Sequence, residues 1–316
     1  MFNYNYKPLT VYVQRIMTSF IKIIDISLFL VYNYQKKEIT MAYNKILTIQ
    51  DISCVGQCSL TVALPIISAC GVETAILPSA VLSTHTAGFS GFTFRVLAGD
   101  MPSIKSHWVK ENICFDAIYT GYLGSKEQVD YVLDINNSTL KKGGKFIVDP
   151  AMADNGKLYP IFDNEYVKAM ARLCVKADYI VPNITEACFL TGVEYKEEYD
   201  RAYIDELLSK LKDLGCKNVI LTGVSYNKGK TGVVVYENDE YSYYEHEKLP
   251  NSCHGTGDIY ASVFVGAFVN GKTAYESAKI AADFTVNCIK ETTKVENHWY
   301  GAVFEPLLHT LNDMIK

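Results

Sequence analysis

From Lys45 onward, short apolar runs alternate with longer stretches whose apolar residues recur at helical spacing, and turn residues separate the two. This pattern predicts strands over 45–49, 72–77, 80–82, 115–119, 145–148, 179–181 and 218–221, with helices over 60–70, 103–112, 126–135, 165–177 and 200–214. Pro65 argues for a kink or a late start in the first helix, and Gly71 and Gly215 stop the first and last. Strands and helices in such succession build a layered α/β domain with a mostly parallel sheet. The period then changes. Residues 231–236 and 240–246 alternate apolar and polar around Asn238-Asp239, which predicts an antiparallel hairpin. An almost unbroken apolar run, 259–268, follows, and the chain ends on a helix over 273–292 and a short terminal helix.

The polar clusters matter more than the element boundaries. Residues 50–56, 83–86, 120–122, 149–154, 183–186 and 222–223 each follow the C-terminal end of a predicted strand. In an open α/β sheet those ends share one edge, where ligands bind. The segment joining the hairpin to the apolar run, Asn251-Ser252-Cys253-His254-Gly255-Thr256-Gly257-Asp258, has the form of an anion cradle. Gly255 and Gly257 permit tight turns, and the first N–H groups of a helix have no intrahelical partner, so they point at arriving negative charge. Asp258 falls in that first helical turn, where a low pKa is expected and where it can accept a proton from a substrate hydroxyl. Taken alone, the octapeptide is equally an ordinary capped helix start.

Composition narrows the function classes. An apolar content of 49% supports a large core. The net charge is −5; the first 40 residues carry +3 and the remainder −8, so the body is acidic and lacks a basic run, which argues against a nucleic-acid partner. The nine cysteines are scattered without the spacing of a zinc site, as free thiols in a reducing cytoplasm would be. Residues 16–32 are apolar, but Lys22 and Asp25 interrupt them and no small-residue cleavage site follows, so neither a membrane span nor a signal peptide is expected. The lysine- and glutamate-rich stretch at 36–38 implies purine-rich codons placed like a ribosome-binding sequence ahead of Met41. Translation is therefore expected to start at Met41, leaving residues 1–40 outside a single domain over 41–316.

With these residues assembled, the chain resembles the ribokinase-like superfamily and, within it, the pyridoxal kinases, over nearly the whole body from Lys45. Gly255-Thr256-Gly257-Asp258 looks like that family's anion hole and catalytic aspartate, and Asn183-Ile184-Thr185-Glu186 like its Asn-x-x-Glu element near the metal. Asp149-Pro150-Ala151-Met152-Ala153-Asp154 matches its Asp-Pro-x-x-x-Asp pattern, and Thr222-Gly223 its nucleotide side. Ser83-Thr84-His85-Thr86 and Tyr122 resemble the residues around the pyridine ring. The resemblance implies a three-layer α/β/α sandwich with a mostly parallel central sheet and an antiparallel hairpin. It implies ATP-dependent phosphorylation of the 5′-hydroxymethyl group of a B6 vitamer with Asp258 as base. Mg2+ would lie near Asp149, Asp154 and Glu186, with a monovalent cation left open. A cytoplasmic homodimer that uses small-molecule substrates is implied as well.

The residue types suit the chemistry, since phosphoryl transfer needs positioning, charge neutralisation and a base. His85, beside two threonines, is as readily an orienting partner as a ligand contact. One departure bears on substrate choice. The family usually has Gln-Ser after the first strand, with that serine on the ring; here the order is Gln50-Asp51-Ile52-Ser53. Either Asp51 replaces the serine or Ser53 reaches in, and an Asp51 facing the ring nitrogen or an exocyclic amine would favour pyridoxamine. The alternatives are a hydroxymethylpyrimidine kinase, many of which carry cysteine where Asp258 stands, and a non-catalytic vitamer-binding protein.

Overall fold

In a computed structural model, which describes residues 43–250 and 253–316, nine strands pair into one sheet in the order β11-β10-β9-β8-β5-β4-β1-β2-β3. The parallel strands are β1 (Lys45–Ser53), β2 (Glu73–Leu82), β4 (Phe115–Thr120), β5 (Leu140–Val148), β8 (Tyr179–Ile180) and β9 (Val219–Val224). The short edge strand β3 (Phe94–Val96) and the hairpin of β10 (Lys230–Glu237) and β11 (Glu240–Glu247) are antiparallel. Asn238 and Asp239 turn that hairpin at φ 53° and 64°, left-handed values that these short polar residues tolerate. Residues 44–316 cluster as one unit. The expected start at Met41 and the segment 1–40 lie outside the described residues.

Helices cover both faces, which is the expected three-layer sandwich. On one face lie α2 (Met101–Lys110), α3 (Glu127–Thr139), α4 (Asn164–Lys176), α5 (Ile184–Thr191) and α6 (Arg201–Leu214). On the other lie α1 (Leu60–Ala69), α7 (Thr256–Val269), α8 (Ala274–Thr292) and α9 (Leu308–Ile315). The strands feed two cores by strict alternation: Leu47, Ile49, Ile118, Phe146 and Val148 face one, and Ile46, Ala117, Tyr119 and Ile147 the other. A strand buried on both faces must be apolar throughout, hence the unbroken runs in the sequence.

Three sequence expectations change. Residues 72–77 and 80–82 form one strand, β2, which runs through Pro78 because β3 pairs with it only from Ala80 onward. Pro65 does not delay α1, which starts at Leu60 and contains it. A small hairpin, β6 (Ala153–Asp154) and β7 (Lys157–Leu158), was not anticipated although its turn is Asn155-Gly156, with φ 49° and 75°, the pair such a turn demands.

Candidate active site

Backbone hydrogen bonds between neighbouring loops gather the polar clusters along one sheet edge. Cys54 N–H donates to Leu82 O, Gly121 N–H to Ile49 O, Asp149 N–H to Thr120 O, Val181 N–H to Val148 O and Thr222 N–H to Pro182 O, at 2.8–3.2 Å. Helix α7 starts on the same edge. Its N-cap is Gly255, at φ 78°, and no side chain caps it. A Cβ on Gly255 would lie 1.8 Å from the Gln57 carbonyl oxygen, so both its backbone angle and its contact with the 53–58 loop require glycine. A Cβ on Gly257 would meet nothing within 4 Å, so the turn is open on that side. Thr256 turns its hydroxyl inward to the Cys253 carbonyl at 3.2 Å.

Asp258 departs from the expectation of a low pKa. Burial raises it to about 7, a hydrogen bond from the Ser59 backbone opposes the rise, and the nearby Asp51 charge adds to it. Desolvation therefore outweighs the helix N-terminus. Asp149, 8% exposed at the end of β5, is pushed up by burial and then by Glu186 and Asp258. One of its oxygens accepts the Ala151 N–H at 3.1 Å. Glu186, equally buried, is raised to about 7 by burial, although backbone N–H groups oppose this. Its oxygens accept the N–H groups of Asn183 (2.9 Å) and Met152 (3.1 Å). Asn183 answers by accepting the Glu186 N–H at 2.9 Å, a reciprocal capping box, and its Nδ2 donates to Ala153 O at 2.9 Å. Asp154 is exposed on β6 and accepts from Asn155 N and Nδ2 at 2.8 and 3.0 Å.

The donor chemistry here fits a hard cation. Desolvation raises the pKa of Asp149, Glu186 and Asp258, and the charges of Glu186 and Asp258 raise Asp149 further, which a divalent ion among them would reverse. Among the described residues, no three His, Cys, Asp or Glu side chains converge as a closed metal cage. Mg2+ needs none, because it keeps waters and takes one or two carboxylates plus phosphate oxygens.

On the opposite flank stand Asp51, Ser53, His85, Thr86 and Tyr122. Asp51, 4% exposed, is raised by burial and accepts the Ser53 hydroxyl at 3.0 Å. Both candidates for the ring contact are thus present and bonded to each other. The Tyr122 hydroxyl is buried without a hydrogen-bond partner, and burial and the Asp51 charge raise its pKa. Both ring nitrogens of His85 are engaged within the protein: its Nε2–H donates to the Tyr300 carbonyl at 2.7 Å and its Nδ1 accepts the Ala87 N–H at 3.2 Å. Thr86 is half-buried in the same loop. On the far side of the edge, the Thr222 hydroxyl donates to Pro182 O at 3.3 Å, and Gly223 is exposed at φ 76°.

Two site features escaped the sequence reading. Ser59, at the strained φ of 54°, touches Asp51 and Asp258 at once, the first through its hydroxyl and the second through its backbone. Residues 297–305, beyond the last long helix, pack on three of the site loops. Neither gives a local signal: Ser59 reads as a helix cap, and 297–305 has no period. The cysteine that flanks Ser59, Cys58, is no nucleophile, since burial and the Asp258 and Asp51 charges push its thiol well up.

A desolvated aspartate in the first turn of a glycine-capped helix, with a carboxylate cluster on one side and a polar flank on the other, on this layered fold, fits a ribokinase-like small-molecule kinase. The comparisons agree. Residues 64–303 match the phosphomethylpyrimidine kinase family, and the chain belongs to it. A protein of Bacteroides thetaiotaomicron described as a candidate phosphomethylpyrimidine kinase, solved with pyridoxal, is 37% identical and superposes with a TM-score of 0.81 over 85% of this chain and 96% of its own. Pyridoxal kinase from Lactobacillus plantarum is 29% identical, with a TM-score of 0.79 over 86% of this chain and 98% of its own. Pyridoxal kinase of Dictyostelium discoideum is 25% identical over 78% of this chain and 86% of its own. The chain is a phosphotransferase enzyme of the pyridoxal kinase type of fold. Among the described residues no helix is long and apolar enough to cross a membrane.

Proposed function

We propose that the protein transfers the γ-phosphoryl group of ATP to the 5′-hydroxymethyl oxygen of a B6 vitamer. The observation that carries this reading is Asp258, whose carboxyl, raised to about 7, is poised to accept a hydroxyl proton near neutral pH. The vitamer's ring lies on the flank of Asp51, Ser53, Thr86 and Tyr122, with His85 orienting the loop that presents Thr86. As the hydroxyl oxygen attacks the γ-phosphorus, Asp258 takes its proton, the bond from that phosphorus to the β,γ-bridging oxygen breaks and ADP leaves, and the N–H groups of the turn at Gly255, Thr256 and Gly257 receive the charge gathering on the phosphoryl oxygens. Asp149 and Glu186, with Asp154 at the rim, are the residues that would hold Mg2+, which when bound supplies neutralisation of phosphate charge. Thr222 and Gly223 line the nucleotide end, and Asn183 keeps Glu186 in register.

The pyridoxal bound to the Bacteroides protein supports a vitamer as acceptor. The family to which the chain belongs favours a second reading, hydroxymethylpyrimidine as acceptor on the same machinery. An ATP-consumption panel over pyridoxal, pyridoxamine, pyridoxine, hydroxymethylpyrimidine and ribose separates them. The vitamer reading requires the highest kcat/KM with a vitamer; a higher value with hydroxymethylpyrimidine overturns it. Asp51, desolvated and bonded to Ser53, gains most from a cationic partner, so pyridoxamine is the expected preference. An Asp51→Ser variant whose pyridoxamine-to-pyridoxal ratio equals that of the wild type would refute this role.

A further inference from the structure

The segment that follows α8 does more than lead to the terminal helix. At one end, Val303 N–H donates to the Thr292 hydroxyl at 2.8 Å, anchoring the segment to α8. Ala302 N–H donates to the His254 carbonyl at 3.0 Å, next to the Gly255 turn. Gln57, in the loop that touches Gly255, is held from two sides: its Oε1 pairs with His298 Nε2 at 3.0 Å, and its Nε2 donates to Glu305 at 2.6 Å. A Cβ on Gly301 would lie 2.6 Å from Gln57 Cβ, so the approach is close enough to demand glycine. The Tyr300 carbonyl takes the His85 Nε2–H.

Aromatic packing continues the same contact. Trp299 lies 4.6 Å from the Phe89 ring, centroid to centroid, and Phe89 meets the His85 ring edge-on at 5.0 Å. Gly88, at φ 84°, leaves room for the indole, since a Cβ there would be 2.8 Å from it. Apart from the Val303 anchor on α8, these contacts fall on the 53–58, 85–89 or 253–255 loops; none of them involves Thr222 or Gly223. Trp299 itself is 53% exposed, so one side of the indole stays in solvent while the other packs on Phe89.

We propose that residues 297–305 form a positioning strap for the acceptor side of the site, and that Trp299, through Phe89 and the 85–89 loop, sets how a planar heteroaromatic acceptor is received. Trp299 acts through the loop that presents Thr86, so it is a positioning residue. This inference rests on the kinase reading but not on which ring is phosphorylated.

The chain has two tryptophans, and the other, Trp108, packs on Phe115 at 5.5 Å in α2, on the helical layer opposite α8. Trp108→Phe therefore leaves Trp299 as the sole indole emitter. The acceptor titrated against it is whichever compound the ATP panel shows to be phosphorylated, so a failed vitamer reading leaves this test intact. Expected is an emission change that saturates with the acceptor near its KM and is absent with ADP alone. In the native background, Trp299→Ala is expected to raise the acceptor KM about tenfold while the ATP KM stays within about twofold, and Trp299→Phe to recover most of the loss. Emission indifferent to the phosphorylated acceptor, or equal rises in both KM values for Trp299→Phe as well as Trp299→Ala, overturns the proposal.

Discussion

Helices α5 and α7 begin on the same edge of the sheet, each with an acid in its first turn, and those turns are built in opposite ways. In α5, Asn183 and Glu186 satisfy each other's backbone, and Glu186 also accepts from Met152. In α7, a glycine caps without a side chain and the next glycine opens onto free space. Each helix has the same unpaired N–H groups to place. One pairs two of them within its own capping box, and the other leaves its first turn without a side-chain cap, as the proposed anion hole requires. The acids do not tell the two apart, because burial raises both Glu186 and Asp258 to about 7. What separates them is how many of their oxygens the backbone already holds.

The largest effect that sharpens this contrast is expected at Asp258. Asp258→Asn removes the proton acceptor but keeps the shape, so kcat should fall about a thousandfold or more while vitamer binding persists. The wild-type rate should climb as pH rises through about 7, where Asp258 ionises, and the variant should lose that limb. A residual rate with the same limb would return the role of base to another group. Stability should move the opposite way. The folded pKa of Asp258 lies above its unfolded value, so the folded state binds the extra proton between about pH 4 and 7 and stability falls as pH rises through that window. Asp258→Asn should therefore melt above the wild type at pH 8, with the gap narrowing at pH 5. A variant that melts below wild type at pH 8 contradicts the buried-charge account.

Gly257→Ala comes next. Its methyl would meet no protein atom, so the melting temperature should hold, whereas a phosphoryl group approaching the turn would meet it. We expect kcat/KM for ATP to fall about a hundredfold, the lower end of what loss of an oxyanion-hole donor costs. Unchanged kinetics would mean that no ligand approaches there, and α7 would join α5 as a merely capped helix.

Much of this was legible before the fold was in view, for reasons that particular residues show. Parallel strands buried on both faces must be apolar, so 45–49 and 145–148 stand out, and their polar successors mark the ligand edge. The motif glycines were legible because backbone angle and close contact both demand them at Gly255. The pKa of Asp258 was not, because a helix N-terminus is written in the sequence and burial by the 53–59 loop, some 200 residues earlier, is not. For His85 the orienting alternative was legible but its partner was not, since that partner is a backbone carbonyl, at Tyr300, which any residue supplies. The strap at 297–305 belongs with them: its contacts are long-range and carry no period.

The smallest expected effect tests the closed helix. Asn183→Ala removes the acceptor for Glu186 N–H and the donor to Ala153 O, so it loses a cap and a tie between α5 and β6. A lost cap costs about 1 kcal/mol, which in a chain of this size lowers the melting temperature by roughly 2 °C. Glu186 would still accept from the backbone at Asn183 and Met152, so the carboxylate should stay near its place. The ATP KM should then rise only a few-fold, about threefold for 0.7 kcal/mol of lost positioning. Thermal melts and ATP saturation curves on this one variant decide the matter. If Asn183→Ala melts like the wild type and loses activity as deeply as Asp258→Asn, then α5 too keeps its N-terminus for the reaction, and the two helices are built alike in function though not in form.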